Sequence, residues 1–358
     1  MEQAQIDTVD LSVVSEDPAC SETALPALDS WITPTERFYI RSHFSEVPNV
    51  DVSSWSLKVD GEVERSLDLS FEDLKSLPAR SAVVTLECAG NSRSYVTPPA
   101  EGLRFGHGAV GNAEWTGVPL HELLSRAGPK KGAVEALFEG TDAGEEEEEG
   151  LTLEIEYARS LPMAKAMSDD TLVAYLMNGE PLEPAHGYPV RLIVPGWYGM
   201  ASVKWLRRVS LLPRPYQGFF QGRRYVRITD GESRPSWEPV KSVGVKSLIT
   251  RPRHGEVVRQ GEFTVHGVAW SGDGAIEGLE LSTDGGRSWR EAELFGPESA
   301  GAWRRWKFPW TPSTPGHFIL MSRAVDSAGN TQPASIPWNF RGYANNSIHT
   351  IAVEVPAE

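Results

Sequence analysis

Two rhythms of apolar positions divide the chain. From about residue 31 to 235, short apolar runs alternate with segments of helical period. The runs Trp55–Val59, Ala82–Glu87, Leu151–Ile155 and Tyr188–Val194 predict strands. Ser70-Phe71-Glu72-Asp73-Leu74 predicts a helix start, with Ser70 as cap and acidic Asp73 three residues on. Val118–Ala127 predicts a second helix, with Leu120, Leu123 and Leu124 on one face and Gly128-Pro129 as its stop. After about residue 236, strand-like runs alternate with turn clusters roughly every 8–12 residues. Phe263–Trp270 runs into Ser271-Gly272-Asp273-Gly274, Ile276–Ser282 into Thr283-Asp284-Gly285-Gly286, and Phe318–Val325 into Asp326-Ser327-Ala328-Gly329-Asn330. That is the rhythm of a β-sandwich. Trp270, Trp289, Trp303, Trp306, Trp310 and Trp338 supply apolar mass to its core or to an interface. The predicted class is α+β: a mixed α/β domain at 31–235 and an all-β domain at 236–358. A flexible N-terminal extension at 1–30 is expected before them.

The length of 358 residues agrees with two domains. Charge narrows the partners. With 34 Lys and Arg against 49 Asp and Glu, the formal net charge is −15, which argues against nucleic acid. An anionic small molecule remains a candidate only where local arginines overcome the global field. No apolar run reaches the roughly 18–20 residues of a membrane span; Val190–Val203 is broken by Arg191, Pro195 and two glycines. The first 30 residues carry Asp7, Asp10, Glu16, Asp17 and Glu22 and lack a secretory pattern. The chain as written is therefore expected to be soluble and cytoplasmic, or periplasmic if a leader has been removed. The run Glu145–Glu149 predicts a solvated surface loop rather than a cation site.

The chemistry gathers around one thiol. Only two cysteines occur, without zinc or iron–sulfur spacing, and Cys20 in the extension is assigned no role. Cys88 ends an apolar strand and opens the turn Cys88-Ala89-Gly90-Asn91-Ser92-Arg93. A small buried hydrophobe and a reactive thiolate are equally good readings locally; a nearby arginine favours the thiolate by lowering its pKa. Two further clusters put cations into apolar strands: Phe38-Tyr39-Ile40-Arg41-Ser42-His43, and His186 through Gly196 continuing to Ser202-Val203-Lys204-Trp205. Buried cations are costly unless they meet an anion, so the three clusters together suggest an anion pocket. Gly106–Asn112 adds backbone N–H groups able to hold anions.

On these motifs the chain resembles the sulfite oxidase family of molybdenum cofactor enzymes, of the bacterial type without a fused haem domain. Glu87-Cys88-Ala89-Gly90-Asn91 with Arg93 resembles the metal-ligand segment, and Gly108–Val118 the stretch after it. Asn178–Leu182, His186–Arg191 and Val203–Leu206 resemble the pterin-binding region. The resemblance implies that Cys88 is the thiolate ligand to molybdenum. It implies that His43, Asp142, His186, Arg191, Ser202 and Lys204 hold the molybdopterin. It assigns Arg41, Arg93 and Tyr225 to the catalytic pocket, and implies an immunoglobulin-like sandwich that makes a homodimer. The implied activity is oxidation of sulfite to sulfate, with electrons leaving to a separate acceptor such as a cytochrome or oxygen. No haem or flavin is expected in this chain.

Three departures predict a less cationic pocket. Thr350 follows His349 where a pocket arginine is expected, Phe105 stands for a tryptophan, and Glu114 for an arginine. The same cofactor acting on nitrate or a sulfoxide is therefore an alternative. An adhesion module built on the sandwich is another, but it leaves the Cys88 and His186 clusters unexplained.

Overall fold

Burial sorts the strands into sheets. The computed structural model describes residues 11–148, 150–230 and 235–357. The first unit contains β1 (Leu11–Ser15), β2 (Cys20–Thr23), β3 (Ile40–Arg41), β4 (Ser56–Gly61), β5 (Leu67–Ser70), α1 (Phe71–Lys75), β6 (Arg80–Glu87), β7 (Val110–Pro119) and α2 (Leu120–Ala127). It continues with β8 (Glu135–Glu148), β9 (Leu151–Pro162), α3 (Met163–Ala166), β10 (Leu172–Met177), β11 (Glu180–Pro181), β12 (Arg191–Ile193) and β13 (Leu206–Leu212). One sheet runs β11-β10-β7-β6, with β12 also on β10; a second runs β5-β4-β13-β8-β9. Leu57, Val59, Val118, Leu120, Leu123, Leu124, Phe138, Val173, Leu192 and Val209 fill the core around them.

The hairpin β14 (Val226–Asp230) and β15 (Pro235–Pro239) leads to the sandwich. Its strands are β16 (Lys246–Arg251), β17 (Phe263–Trp270), β18 (Ile276–Ser282), β19 (Arg290–Glu291), β20 (Glu293–Phe295), β21 (Arg304–Trp310), β22 (Gly316–Asp326) and β23 (His349–Val355). They form two four-stranded sheets, β16-β17-β21-β20 and β19-β18-β22-β23. Alternate residues point inward, so Val265, Leu279, Leu281, Trp306, Phe308, Leu320, Ile351 and Val353 make the sandwich core. Trp270 and Trp303 belong instead to the first unit's core, together with Val240, Val243, Leu248 and Val268. The two units thus share one continuous apolar interior.

The local signals at the helices operate as read. Ser70 Oγ accepts from Asp73 N–H and Asp73 accepts from Ser70 N–H, a complete capping box. Leu120, Leu123, Leu124 and Ala127 are the buried face of α2, and Gly128 ends it at φ +71°.

Two expectations are corrected. Residues 11–23 are not a loose extension. They form the β1–β2 hairpin, β2 pairs with β3, and Cys20 and Thr23 are buried while Glu16 and Asp17 at the hairpin turn are exposed. Residues 1–10 lie outside the described residues. The glutamate run is not a loop either. Glu145–Glu148 continue β8 and pair with β9 as far as Leu151, turning at Gly150, whose φ is +78°. A two-stranded ribbon satisfies the backbone and leaves carboxylates such as Glu145 and Glu147 in water, so repulsion does not forbid the strand. Glu149 lies outside the described residues.

Candidate active site

The end of β6 delivers Cys88 to the bottom of a pocket between the two sheets. Its turn is closely tied. Cys88 N–H donates to Ala109 O (2.9 Å), Asn91 N–H to Cys88 O (2.9 Å), and Gly90 N–H to the Cys88 sulfur (3.4 Å). The pocket is lined by Phe38, Tyr39, Arg41, His43, Cys88, Asp142, Tyr157, His186, Arg191, Met200, Ser202, Lys204 and Tyr225, among others. A second cavity shares Arg41, Cys88 and Tyr225 and adds Arg93, Glu101, Phe105, Arg224, Arg341 and Tyr343. Cys88 therefore stands at the junction of two cavities with different linings.

The first cavity carries every residue expected to hold the pterin. Arg191 on β12 donates to His186 O (3.0 Å) and Ser202 O (3.1 Å) and lies over the Trp115 ring, 4.9 Å from its centroid. Gly187, at φ +104°, turns the chain between His186 and Arg191, and a Cβ there would sit 3.0 Å from Lys204 Cβ. Lys204 Nζ donates to Ala185 O (2.8 Å). Val194 N–H donates to Ser202 Oγ (3.1 Å). Asp142 enters from β8 where its pairing with β9 slips between Glu139 and Ala143. His43 Nε2 meets Tyr225 OH at 2.6 Å, and Tyr225 stacks on Tyr343 with centroids 5.1 Å apart.

The electrostatics show a pocket short of negative charge. Burial, then the Arg191 charge, lowers Lys204 to about 7, and burial lowers Arg191 to about 10. Burial also raises Asp142 to about 6 against the pull of Lys204, and lowers His186 to about 3 with help from Arg191 and Lys204. Asp142 Oδ1 and Arg191 Nε are buried without a hydrogen-bond partner. Native proteins rarely leave such atoms unsatisfied. An anionic group that also carries N–H donors would satisfy both signs at once, as a pterin phosphate does.

The thiol differs from expectation. Burial raises the Cys88 pKa, outweighing Arg41, the Gly90 N–H and Arg93, which lower it. The arginines alone do not make a thiolate; a coordinated metal deprotonates a thiol outright. Among the described residues no group of three or more His, Cys, Asp or Glu is placed to hold a metal ion. A metal at Cys88 must therefore arrive with its other ligands, and a soft sulfur donor suits a dithiolene-bound one. The residues present fit a molybdenum–molybdopterin group.

The second cavity corrects the substrate side. Thr350 is exposed on β23, paired with Met321, and lines neither cavity. Glu114 is exposed on β7. Neither weakens the pocket's charge. Arg341, overlooked in the sequence, lines the cavity with Arg41, Arg93 and Arg224. Arg93 donates to Arg341 O (2.7 Å) and Leu103 O (2.7 Å) and lies over Tyr343 at 4.9 Å. The one available signal was Arg341-Gly342 itself: Gly342 has φ +58°, and a Cβ there would approach Ala100 Cβ at 2.7 Å and Arg93 Cγ at 3.0 Å. Phe105 does line this cavity. The glycine-rich stretch turns its N–H groups to partners within the chain: Gly108 N–H donates to the Glu22 carboxyl group, Ala109 N–H to Asn91 Oδ1 and Asn112 N–H to Thr33 Oγ1. Cys20, assigned no role, lies 3.9 Å from Arg41 Nη1.

Fold and site together define a molybdopterin oxidoreductase. Residues 43–220 match the oxidoreductase molybdopterin binding domain, and residues 238–356 the Mo-co oxidoreductase dimerisation domain. The chain is 39% identical over 370 residues to mitochondrial sulfite oxidase of Homo sapiens, covering 96% of this chain and 66% of that protein. It is 32% identical to sulfite oxidase of Arabidopsis thaliana, covering 96% of this chain and 94% of that protein. It superimposes on the crystal structure of the sulfane dehydrogenase SoxCD from Paracoccus pantotrophus with a TM-score of 0.81 and 31% identity, covering 98% of this chain and 86% of that one. The chain belongs to the sulfite oxidase family. It spans just under two thirds of the length of the human relative.

Proposed function

We propose that this chain oxidises sulfite to sulfate at a molybdenum–molybdopterin centre bound through Cys88, passing electrons to a separate acceptor such as a cytochrome or oxygen. The observation that carries this reading is the position of Cys88 at the junction of a cavity lined by Arg191, Lys204, His186, Ser202 and Asp142 and a second, arginine-lined cavity. The relatives named sulfite oxidase support the substrate. When bound, the cofactor supplies the oxygen and takes up two electrons; overall, sulfite and water become sulfate, two protons and two electrons.

The chain's own residues bind and orient. Arg41, Arg93 and Arg341 attract the sulfite dianion and balance its charge against the −15 background. Tyr225, hydrogen-bonded to His43, lines both cavities and orients an oxyanion. Burial raises the Tyr225 pKa, so the hydroxyl stays a donor. Lys204, Arg191, His186 and Ser202 hold the phosphate side of the pterin, and Asp142 its N–H edge. The family match of the second unit supports a homodimer through the sandwich. The expected boundary at 235/236 falls inside β15, so we place the junction of the two domains after Pro239.

The test pairs metal analysis with turnover. The wild-type chain is expected to carry close to one molybdenum and to reduce an artificial acceptor when sulfite is added. Cys88→Ser is expected to lose both while keeping its fold. A Cys88→Ser protein with full molybdenum and full sulfite turnover would overturn the assignment.

A further inference from the structure

The cysteine turn is held from behind by the other domain. Lys246 opens β16 of the sandwich and is 1% exposed. Its Nζ donates to Glu87 Oε1 (2.8 Å) and Ser92 Oγ (2.9 Å), the residues at the two ends of the turn that carries Cys88. Trp270, on β17, donates its indole N–H to the other Glu87 oxygen (2.9 Å). Asn91 Nδ2 donates to Glu87 (3.0 Å), and Asn91 Oδ1 accepts from Ala109 N–H (3.1 Å). Asn345, just before β23, donates to Ser92 O (2.9 Å). Ser92 has φ +69°, a strained value for a residue with a side chain.

This arrangement is more than domain adhesion. Two ions buried to 1% and 2% exposure carry a desolvation cost that a pair of apolar residues would avoid. Both charges point at the turn, and every hydrogen bond they make ends on the turn or on a sandwich residue facing it. Removing them takes away the ion pair at Glu87 and the Lys246 bond to Ser92 Oγ, loosening the loop, while leaving the Asn345 bond to Ser92 O and the apolar contacts of Trp270, Trp303 and Val268 in place.

We propose that Lys246, with Trp270, is a positioning residue: the sandwich domain clamps Glu87 and Ser92 so that the Cys88 sulfur is presented in one fixed geometry for metal ligation. The proposal rests on Cys88 being the ligand. It gives the sandwich a role at the metal site in addition to any role in dimerisation.

The test compares three variants of the full chain with wild type. Lys246→Met/Glu87→Gln removes both charges together and avoids leaving one buried ion alone. Thr85→Val breaks a different contact between the domains, where Thr85 Oγ1 accepts from Trp303 N–H (2.8 Å). Cys88→Ser tests the ligand itself. Hydrogen exchange is read on metal-free protein, and molybdenum content and the metal's electron paramagnetic resonance spectrum on loaded protein. In the double variant, amides 88–92 are expected to exchange at least tenfold faster while the β17 and β22 amides stay protected. Its loaded form is expected to show a shifted or heterogeneous metal spectrum. Thr85→Val is expected to change neither. Wild-type exchange at 88–92 with a wild-type spectrum in the double variant overturns the proposal. So does an equal effect from Thr85→Val, which would reduce Lys246 to domain adhesion. Full metal retention with a wild-type metal spectrum in Cys88→Ser would instead overturn the ligand assignment on which the proposal stands.

Discussion

At the scale of the residue, the site is an imbalance of charge. Arg41, Arg191 and Lys204 line the first cavity against a single carboxylate, Asp142. Burial pushes Lys204 and Arg191 down and Asp142 up, which states in each case that the ion lacks a sufficient partner. Arg341 extends the positive lining into the second cavity. Arg341→Ala is expected to raise the sulfite KM roughly 10- to 150-fold, the equivalent of one charge-assisted contact of about 1.5–3 kcal/mol. Molybdenum content should stay at the wild-type level, because Arg341 lines the second cavity and not the one that carries the expected pterin-holding residues. Steady-state kinetics with metal analysis check this; an unchanged KM would remove Arg341 from the substrate pocket. Thr350→Arg, by contrast, would add charge to an exposed strand position and leave the pocket as it is.

At the scale of the element, the site depends on irregularities in strands. β8 carries Asp142 inward only because its pairings with β9 and β13 both slip nearby. Gly140 makes that slip feasible: a Cβ there would lie 2.3 Å from Asp142 Oδ1 and 2.9 Å from Lys204 O. Gly140→Ala should therefore displace the Asp142 and Lys204 groups together. The expected outcome is a folded protein, about 1–3 kcal/mol less stable from overpacking, with much reduced bound pterin and molybdenum. Urea unfolding and cofactor analysis measure the two effects separately, and wild-type cofactor content would contradict the account. The glutamate ribbon beyond Ala143 shows the opposite case. Its pairing was hidden from the sequence because charge repulsion argues for a loop, whereas backbone hydrogen bonding costs the carboxylates nothing when they stay in water.

At the scale of the molecule, buried neutral histidines link stability to pH. Burial, reinforced by Lys246 and His254, lowers His349 to about 3, and its Nδ1 accepts from Ile249 N–H. The unfolded chain protonates this histidine near pH 6.5, while the folded chain does not until about 3. The unfolded state thus binds more protons between those values, so stability is full above about pH 7 and falls as pH drops. At pH 5 the cost from His349 alone is roughly 2 kcal/mol. His349→Gln, which keeps an acceptor for Ile249, should flatten the difference between urea unfolding at pH 7 and at pH 5 by about that amount. An unchanged difference would mean that His349 is protonated in the folded protein. No helix among the described residues is long and apolar enough to cross a membrane.

The sequence by itself determined whatever depends on neighbours along the chain. The capping box at Ser70, the stop at Gly128, the spans Phe263–Trp270 and Ile276–Ser282, and the strand end at Cys88 were legible, because caps, periods and turns act over a few residues. Eight of the ten candidate site residues lay in motifs where a thiol or cations interrupt apolar strands, while Asp142 and Tyr225 came only from the family resemblance; all ten line the two cavities that meet at Cys88. Only the tertiary structure decided what depends on distant partners. It moved residues 11–23 into a sheet through pairing with Arg41, and set the Cys88 thiol upward because desolvation outweighs two arginines. It replaced Thr350 by Arg341 in the pocket, and brought Lys246, more than 150 residues away, onto Glu87. The physical reason is the same in each case: burial and charge pairing are properties of a folded environment, and no local spacing encodes which surfaces will meet.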